Sequence, residues 1–475
     1  MFKPAGSRHR LFVLFALAGL ASGCAHFQPE PISPRKSIVS FDERSLSDPG
    51  LRAFLAANHV AAPATGERWG LKALTLAAFY YQPALAEARV ELLAAQAAQI
   101  TAAQRPNPSI SVTPGYESGI PNIPSPWLVP VTVAWPIETA GKRGYRIAQA
   151  RRLAEAARWD LVGTVWQVRS RLRAALLDLD AAERAESLLA DKELAQGRVA
   201  GLLEGQFRAG SVSSFEVAQA RVALDATTLA RQAAEGQVGQ ARVQLAGALG
   251  VPSRALTGVK LSFADVEALP QQLVQPQVRQ QALLDLADVR GALDRYAASQ
   301  AALQLQIARQ WPDINLGPGF AWNSQLAGDR EWQLGLTLTL PVLNHNQGPI
   351  AEARAQRRLA AAHFLTVQTT AIGQIDAALA AYRSALTRVA TATSLLANLE
   401  RRLGAVRSQV RAGELQPLDL ANAEVAFDAG VKDQLLAQNQ AQQALGLLED
   451  AVQSPLTLSP SALRAAQDEP SRASQ

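Results

Sequence analysis

The residues best suited to metal or nucleophilic chemistry are one cysteine, Cys24, and five histidines, and their spacing supports neither chemistry. His9, His26, His59, His345 and His363 are scattered. No phosphate loop, nucleophile elbow or Cys/His metal spacing appears, so no enzyme activity, cofactor or bound metal is expected. His345, in Asn344-His345-Asn346, reads as a solvated loop residue, and His363 as a packed residue on a helix. A single cysteine excludes an intrachain disulfide. What remains is electrostatics. Glu216 and Asp419 each stand six residues after a glycine, in Arg208-Ala209-Gly210 and Arg411-Ala412-Gly413. An acid there meets the positive end of a helix and stabilises it by about 0.3–1 kcal/mol.

Those two acids lie in a stretch written twice. Residues 208–226 read RAGSVSSFEVAQARVALDA and residues 411–429 read RAGELQPLDLANAEVAFDA, an offset of 203. RPNPSISVTPGY from Arg105 matches RQWPDINLGPGF from Arg309 at 204, and IAQAR at Ile147 matches IAEAR at Ile350 at 203. Chance in an Ala-rich chain explains the alanine columns but not the Gly, Pro and Asp columns at near-constant offset. So long a period indicates a duplicated domain, not a solenoid. Hydrophobic residues make up 48% of the chain and aromatic residues only 6%. Alanine dominates that apolar fraction, which predicts long, closely packed helices.

Residues 1–23 read as a secretory signal: Lys3, Arg8 and Arg10, the apolar run Leu11–Leu20, then Ala21, Ser22 and Gly23. The run is too short for a lasting membrane span. It resembles a bacterial lipoprotein signal, which implies lipidation of Cys24. Ala25 after the cysteine resembles sorting to the outer membrane. Leu20 lies four residues before Cys24, where Ala21 fills the usual leucine position. Removing the three basic residues of this segment from the 46 in the chain leaves 43 against 41 acids, a net charge of +2. That balance gives no argument for nucleic acid.

Residues 24–68 are proline-rich and read as a tether with one short helix near Pro49–Asn58. The first repeat spans 69–252: a helix over Leu71–Gln104 stopped at Arg105-Pro106-Asn107-Pro108, a β-hairpin over 109–135, a long helix Lys142–Arg208, and a return helix 214–249. Residues 253–277 read as a linker. The second repeat, 278–453, has its hairpin over 312–340, a long helix Ile350–Arg411 and a return helix 417–452. The tail 454–475 reads as disordered. Ile372, Ile375, Leu379, Tyr382, Leu386 and Val389 alternate spacings of three and four, a coiled-coil seam.

The strands carry the clearest constraint. Trp127, Val129, Val131, Val133 and Trp135 share one face, as do Trp332, Leu334, Leu336, Leu338 and Leu340, while intervening residues are small or polar. Tyr116, Trp127, Trp135, Phe320, Trp322 and Trp332 sit at or near strand ends, as membrane-interface aromatics do. Four strands cannot close a membrane barrel, and an open sheet in lipid leaves backbone groups unpaired. Either several chains pool their strands, or helices cover the sheet in a soluble α+β domain.

Lipoprotein signal, hairpin, long helix, glycine turn and return helix, all duplicated, resemble the outer-membrane efflux channels of the TolC type. The specific marks are Trp135-Pro136-Ile137-Glu138 through Gly141-Lys142-Arg143 and the Arg-Ala-Gly turns. FDERSLSDPGLRAF near Phe41 and PIETAGKR are more similar to the heavy-metal (CzcC-like) branch, with Ala140 where the family usually has glycine. The resemblance implies a mainly α fold with a small β part. Duplicated coiled-coil hairpins and four transmembrane strands per chain would assemble as a homotrimer, a twelve-stranded barrel above a helical tunnel. It implies a passive duct in outer-membrane lipid, with a periplasmic adaptor protein and an inner-membrane RND pump as partners. Arg208, Gly210, Arg411 and Gly413 would be the adaptor-contacting tips. Glu216, Gln219, Asp419 and Asn422 would border the periplasmic aperture, the last of each pair replacing a second acid. Heavy-metal cations are the expected cargo. Organic compounds, a secreted protein, and a lipid-anchored scaffold without a channel are the alternatives.

Overall fold

The computed structural model describes residues 26–64, 66–116, 118, 127–270, 280, 283–323 and 329–454, with backbone alone at 322–323 and 329–330. The signal segment, Cys24 and most of the tail therefore lie outside the described residues. The chain divides into two compact units, Met1–Arg44 and Ser45–Gln475. In the first, Ser33 caps helix α1 (Pro34–Asp42).

The second unit begins where a tether is expected, yet it is packed. Asp48 accepts from the amides of Gly50 (2.6 Å) and Leu51 (3.1 Å) and so caps α2, Pro49–Ala57. Leu51 and Leu55 of α2 are fully buried in a core formed with α3 (Leu71–Tyr81) and the long helix α5 (Lys142–Arg208). Strand β1 (Arg68–Trp69) pairs in parallel with β5 (Lys260–Leu261). The expected linker thus folds back as well: a 3-10 turn at Ser253–Leu256, β5 and α7 (Ala264–Glu267) place Val266 in the same core.

The helix expected over Leu71–Gln104 is two helices, α3 and α4 (Pro83–Ala103). Gln82 stands extended between them because Pro83 cannot donate to the helix behind it and suits the first turn of the next. The Gln82 amide donates to the carbonyls of Gly247 (2.8 Å) and Ala248 (2.6 Å), at the end of return helix α6, Ser214–Leu249. Gly250, at φ +79°, lets that end approach closely: a Cβ would lie 3.0 Å from the Tyr81 carbonyl.

The second repeat holds α8 (Ala287–Ala308), α9 (Gln347–Arg411) and α10 (Pro417–Val452). At 67 and 65 residues, α5 and α9 each run about 100 Å. Helix α5 packs against α4, α6, α8 and α10, while α9 packs against α8 and α10. Along the middle of α9 the buried positions are Ala371, Ile375, Ala378, Tyr382 and Ala385. Ile375 and Tyr382 of the expected seam are buried, but the positions alternating with them are alanines one residue earlier than expected, with Leu379, Leu386 and Val389 flanking.

The sheet is antiparallel. Strands β2 (Ser109–Val112) and β3 (Gly115–Tyr116) both pair with β4 (Trp127–Ile137), which pairs with β6 (Ile314–Asn323), and β6 pairs with β7 (Asp329–Leu338). β2 and β3 are one strand interrupted at Thr113-Pro114, because proline offers no amide to the ladder.

Candidate functional site

Register makes the apolar faces of all four strands one surface. Val133 opposes Ile110, Val131 opposes Phe320, and Phe320 opposes Trp332. Trp135 opposes Leu316, which opposes Leu336. The reverse face carries Ser109, Ser111, Thr132, Asn315, Gly317, Gly319, Gln333, Gly335 and Thr337. The apolar face stays open: Ile110, Trp332, Leu334 and Leu336 are each more than 60% exposed. Among the described residues no helix covers it as an α+β domain would require.

The aromatic residues group by level. At the hairpin-loop end, Tyr116 stacks edge-on against Trp127 (centroids 5.1 Å apart) and Phe320 packs on Trp332 (4.9 Å). Trp322 belongs to this end by register, opposite Val129. Trp135 lies at the helix end of the same face. Eight residues separate it from Trp127, about 26 Å of strand, which matches the apolar band of about 25 Å in outer-membrane barrels.

Below the sheet, a polar joint fixes strands to helices, and the GKR stretch builds it. The Lys142 ammonium donates to Asp313 Oδ1 and the Trp311 carbonyl, both at 2.7 Å, while the Thr139 amide and hydroxyl reach Asp313 (2.9 Å) and the Pro312 carbonyl (2.6 Å). Arg146 grips Glu138 through two bonds (2.6 and 3.1 Å) and donates to the carbonyls of Ala102 and Gln104. Arg143 takes the Ala103 carbonyl at 2.8 Å. The last carbonyls of α4 have no intrahelical donor, so these arginines satisfy them. In the second repeat Asn346 donates to the Gln306 carbonyl at 2.7 Å. Both ends of that bond lie 203 positions from the Arg143–Ala103 pair.

At the far ends of the helical hairpins, Gly210 (φ +74°) and Gly413 (φ +77°) stand in the left-handed region. The amides of Ser211 and Glu414 reach back to the carbonyls of Gln206 (2.8 Å) and Gln409 (2.9 Å), closing matching C-terminal caps. Nothing lies within 4 Å of where either Cβ would be, so conformation and not space requires glycine. Glu216 and Asp419 each close a capping box: Glu216 accepts from the Ser213 amide at 2.7 Å, Asp419 from the Gln416 amide at 3.0 Å. Hydrogen bonds from the Ser213 amide and hydroxyl hold the Glu216 carboxyl below its ordinary range. Arg208, Gln219, Arg411 and Asn422 are exposed around these turns.

His363 is exposed and not packed, while His345 is an exposed loop residue as expected. Among the described residues no group of three or more His, Cys, Asp or Glu is placed to hold a metal ion. Two features escape a reading of the sequence. Arg169 and Arg173 of α5 are buried against the fully buried Glu449 of α10, at 2.9 and 3.7 Å. On α6, Phe215, Val222, Leu229 and Val243 lie on heptad steps and are 59–74% exposed; their spacing alone could have revealed that stripe.

Comparison with known proteins agrees with this architecture. The family described as outer membrane efflux protein matches residues 78–251 and 278–452, one stretch per repeat. The cobalt-zinc-cadmium resistance protein CzcC of Cupriavidus metallidurans is 25% identical over 306 residues, covering 62% of this chain and 70% of that protein. The pyoverdine export outer membrane protein OpmQ of Pseudomonas aeruginosa is 25% identical over 274 residues, covering 56% and 48%. Two solved structures share the fold at low identity. The outer membrane protein VceC of Vibrio cholerae has a TM-score of 0.66 at 18% identity, covering 81% of this chain and 96% of that one. CusC has a TM-score of 0.64 at 19%, covering 81% and 92%. The chain belongs to the outer membrane efflux protein family, the TolC-type channels.

Proposed function

We propose that three copies of this chain form a passive duct across the periplasm and outer membrane, lipidated at Cys24, which exports heavy-metal cations for an inner-membrane RND pump. The observation that carries this reading is a matched incompleteness. Among the described residues the sheet ends at β2 and β7 with unpaired edges and leaves its apolar face open. The helices are unfinished in the same sense. Within the chain α10 packs on α5, but the pair equivalent by repeat, α6 on α9, is not packed. Positions 236 and 243 of the α6 stripe correspond to Asn439 and Gly446, which lie against Leu177 and Arg173 of α5. The α6 stripe is therefore the face that takes the α9 of a second copy. Three chains supply twelve strands, enough to remove the free edges.

In this assembly the turns at Arg208–Gly210 and Arg411–Gly413 face the adaptor, and Glu216, Gln219, Asp419 and Asn422 border the aperture. Capping engages one oxygen each of Glu216 and Asp419, so the two readings of these acids are compatible. Metal cations are favoured as cargo because the likeness to CzcC spans more of that protein than the likeness to OpmQ does. Full-length protein in detergent should have the mass of three chains and conduct in planar bilayers. A strain lacking it should become sensitive to cobalt, zinc or cadmium before dyes. A monodisperse single chain, soluble without detergent, would overturn the reading.

A further inference from the structure

The two repeats leave the sheet by different turns. In the first, Glu138 follows Trp135-Pro136-Ile137 and is gripped by Arg146. In the second, Leu343 follows Leu340-Pro341-Val342, and Pro349 stands where Arg146 would, counted back from Ile350 against Ile147. The acid and its arginine are thus replaced by an apolar corner. Leu340 and Val342 are exposed, and Leu343 is 93% exposed. Taking such side chains out of water is favourable.

The corner borders a cavity of about 680 Å³ where β4, β6 and β7 meet α5 and α8. Trp311, also exposed, borders it as well. The two acids of the cavity are already engaged, Glu138 by Arg146 and Asp313 by Lys142. The third cation, Arg309, meets no acid among the described residues and donates to Gln306 Oε1 at 3.2 Å. Arg105, the equivalent residue 204 positions earlier, is exposed too, so each repeat sets an arginine just before its first strand. A guanidinium without an acid, beside an apolar corner, suits an amphiphile with an anionic head. A phosphate accepts two parallel N–H bonds from the guanidinium fork, and the attached chain covers the leucines.

We propose that this cavity holds one anionic phospholipid of the leaflet facing the periplasm, its phosphate on Arg309 and an acyl chain along Trp311, Val342 and Leu343. This rests on the membrane-spanning reading above. Two observations favour lipid over a neighbouring chain as the occupant. Leu336, Leu338 and Leu340 keep the strand period, so the corner continues the apolar face past Trp135, its aromatic limit on the helix side. The cavity also carries three cations, Lys142, Arg146 and Arg309, against two acids, and that surplus calls for an anion. Basic pockets at headgroup depth recognise anionic lipid in this way.

The test is native mass spectrometry of the purified full-length protein, released from nanodiscs that contain phosphatidylglycerol and phosphatidylcholine in equal amounts. Phosphatidylglycerol should stay bound, one copy per chain, in preference to phosphatidylcholine. R309Q should weaken that retention about fivefold, the factor that one basic side chain at a membrane surface supplies. R105Q removes an exposed arginine outside the cavity and should leave retention unchanged. Equal losses in R309Q and R105Q would mean diffuse attraction and would overturn the inference. V342N/L343N should also lower retention while the assembly keeps its mass; loss of the assembly would mean that a neighbouring chain covers the corner, and would overturn it too. So would release of the lipid by inorganic phosphate at equal concentration, which would show a phosphate site without acyl contact. Wild-type protein that enters no bilayer fails the duct reading itself, which is a different outcome.

Discussion

Replacing Glu449 with glutamine tests whether the buried charge cluster holds the two repeats together. The carboxylate is fully buried, and its partners Arg169 and Arg173 are 2% and 3% exposed. One nitrogen on each arginine, Nη1 of Arg169 and Nε of Arg173, already lacks a hydrogen-bond partner. E449Q removes the charge that forms ion pairs with both guanidiniums. Breaking a buried pair by deleting one partner costs about 3–5 kcal/mol. Asp450 sits close enough to attract both arginines, so the lower end of that range, about 3 kcal/mol, is expected. The internal reference is E424Q. Its partner Arg198 has a side chain 63% exposed, and an exposed pair contributes about 0–1 kcal/mol. Urea unfolding of detergent-solubilised protein, followed by far-UV circular dichroism, compares the two. A further variant, R169M/R173M/E449L, should lie nearer the wild type than E449Q, because well-packed apolar groups replace buried ion clusters at little cost. If E449Q and E424Q destabilise equally, the cluster is hydrated and does not lock the repeats.

Two more predictions concern the joint and the tips. K142M should destabilise the strand-to-helix joint by about 0.5–1 kcal/mol, since Asp313 is partly exposed. Burial pushes the Asp313 carboxyl up, but hydrogen bonds from Lys142 and Thr139 outweigh it and hold the group below its ordinary range. The pair therefore contributes fully above the unfolded carboxylate pKa, and that contribution is lost as pH falls through the lower folded value; D313N should flatten this pH dependence in thermal melts. G413V forces a β-branched residue to φ +77°, at about 1–2 kcal/mol. It should lower export in cells without lowering the amount of trimer, and unchanged export would count against the tip assignment.

What was legible in the sequence is what repeats locally. Strand alternation from Trp127 and from Trp332 gives the apolar face, and the Arg-Ala-Gly turns give the hairpin tips, because period and turn chemistry are short-range properties. What was hidden joins distant positions. Arg169 meets Glu449 across 280 residues, and Lys142 meets Asp313 across 171. The break at Gln82-Pro83 was visible as a dipeptide, yet apolar spacing runs through it. Only the α6 carbonyls that Gln82 binds explain why the chain turns there. Residues 45–68 read as the end of a tether because five prolines are spread over 24–68, while Leu46, Leu51 and Leu55 place this part in the core.

The difference in charge between the two repeats bears on why a duct of this kind is written as one duplicated chain. A ring of six identical single repeats would have six identical seams, so any change that loosened one would loosen all. Fusing two repeats makes alternate seams independent in sequence. Here the seam within the chain holds Arg169, Arg173 and Glu449, while the equivalent positions of the other repeat are Ile372, Asp376 and Ala246. Near the turns, exchanging Glu204 and Arg221 for Arg407 and Glu424 keeps each hairpin paired internally and reverses the sign presented across one seam. Hairpin stability and seam strength are thereby set separately, by the same four residues.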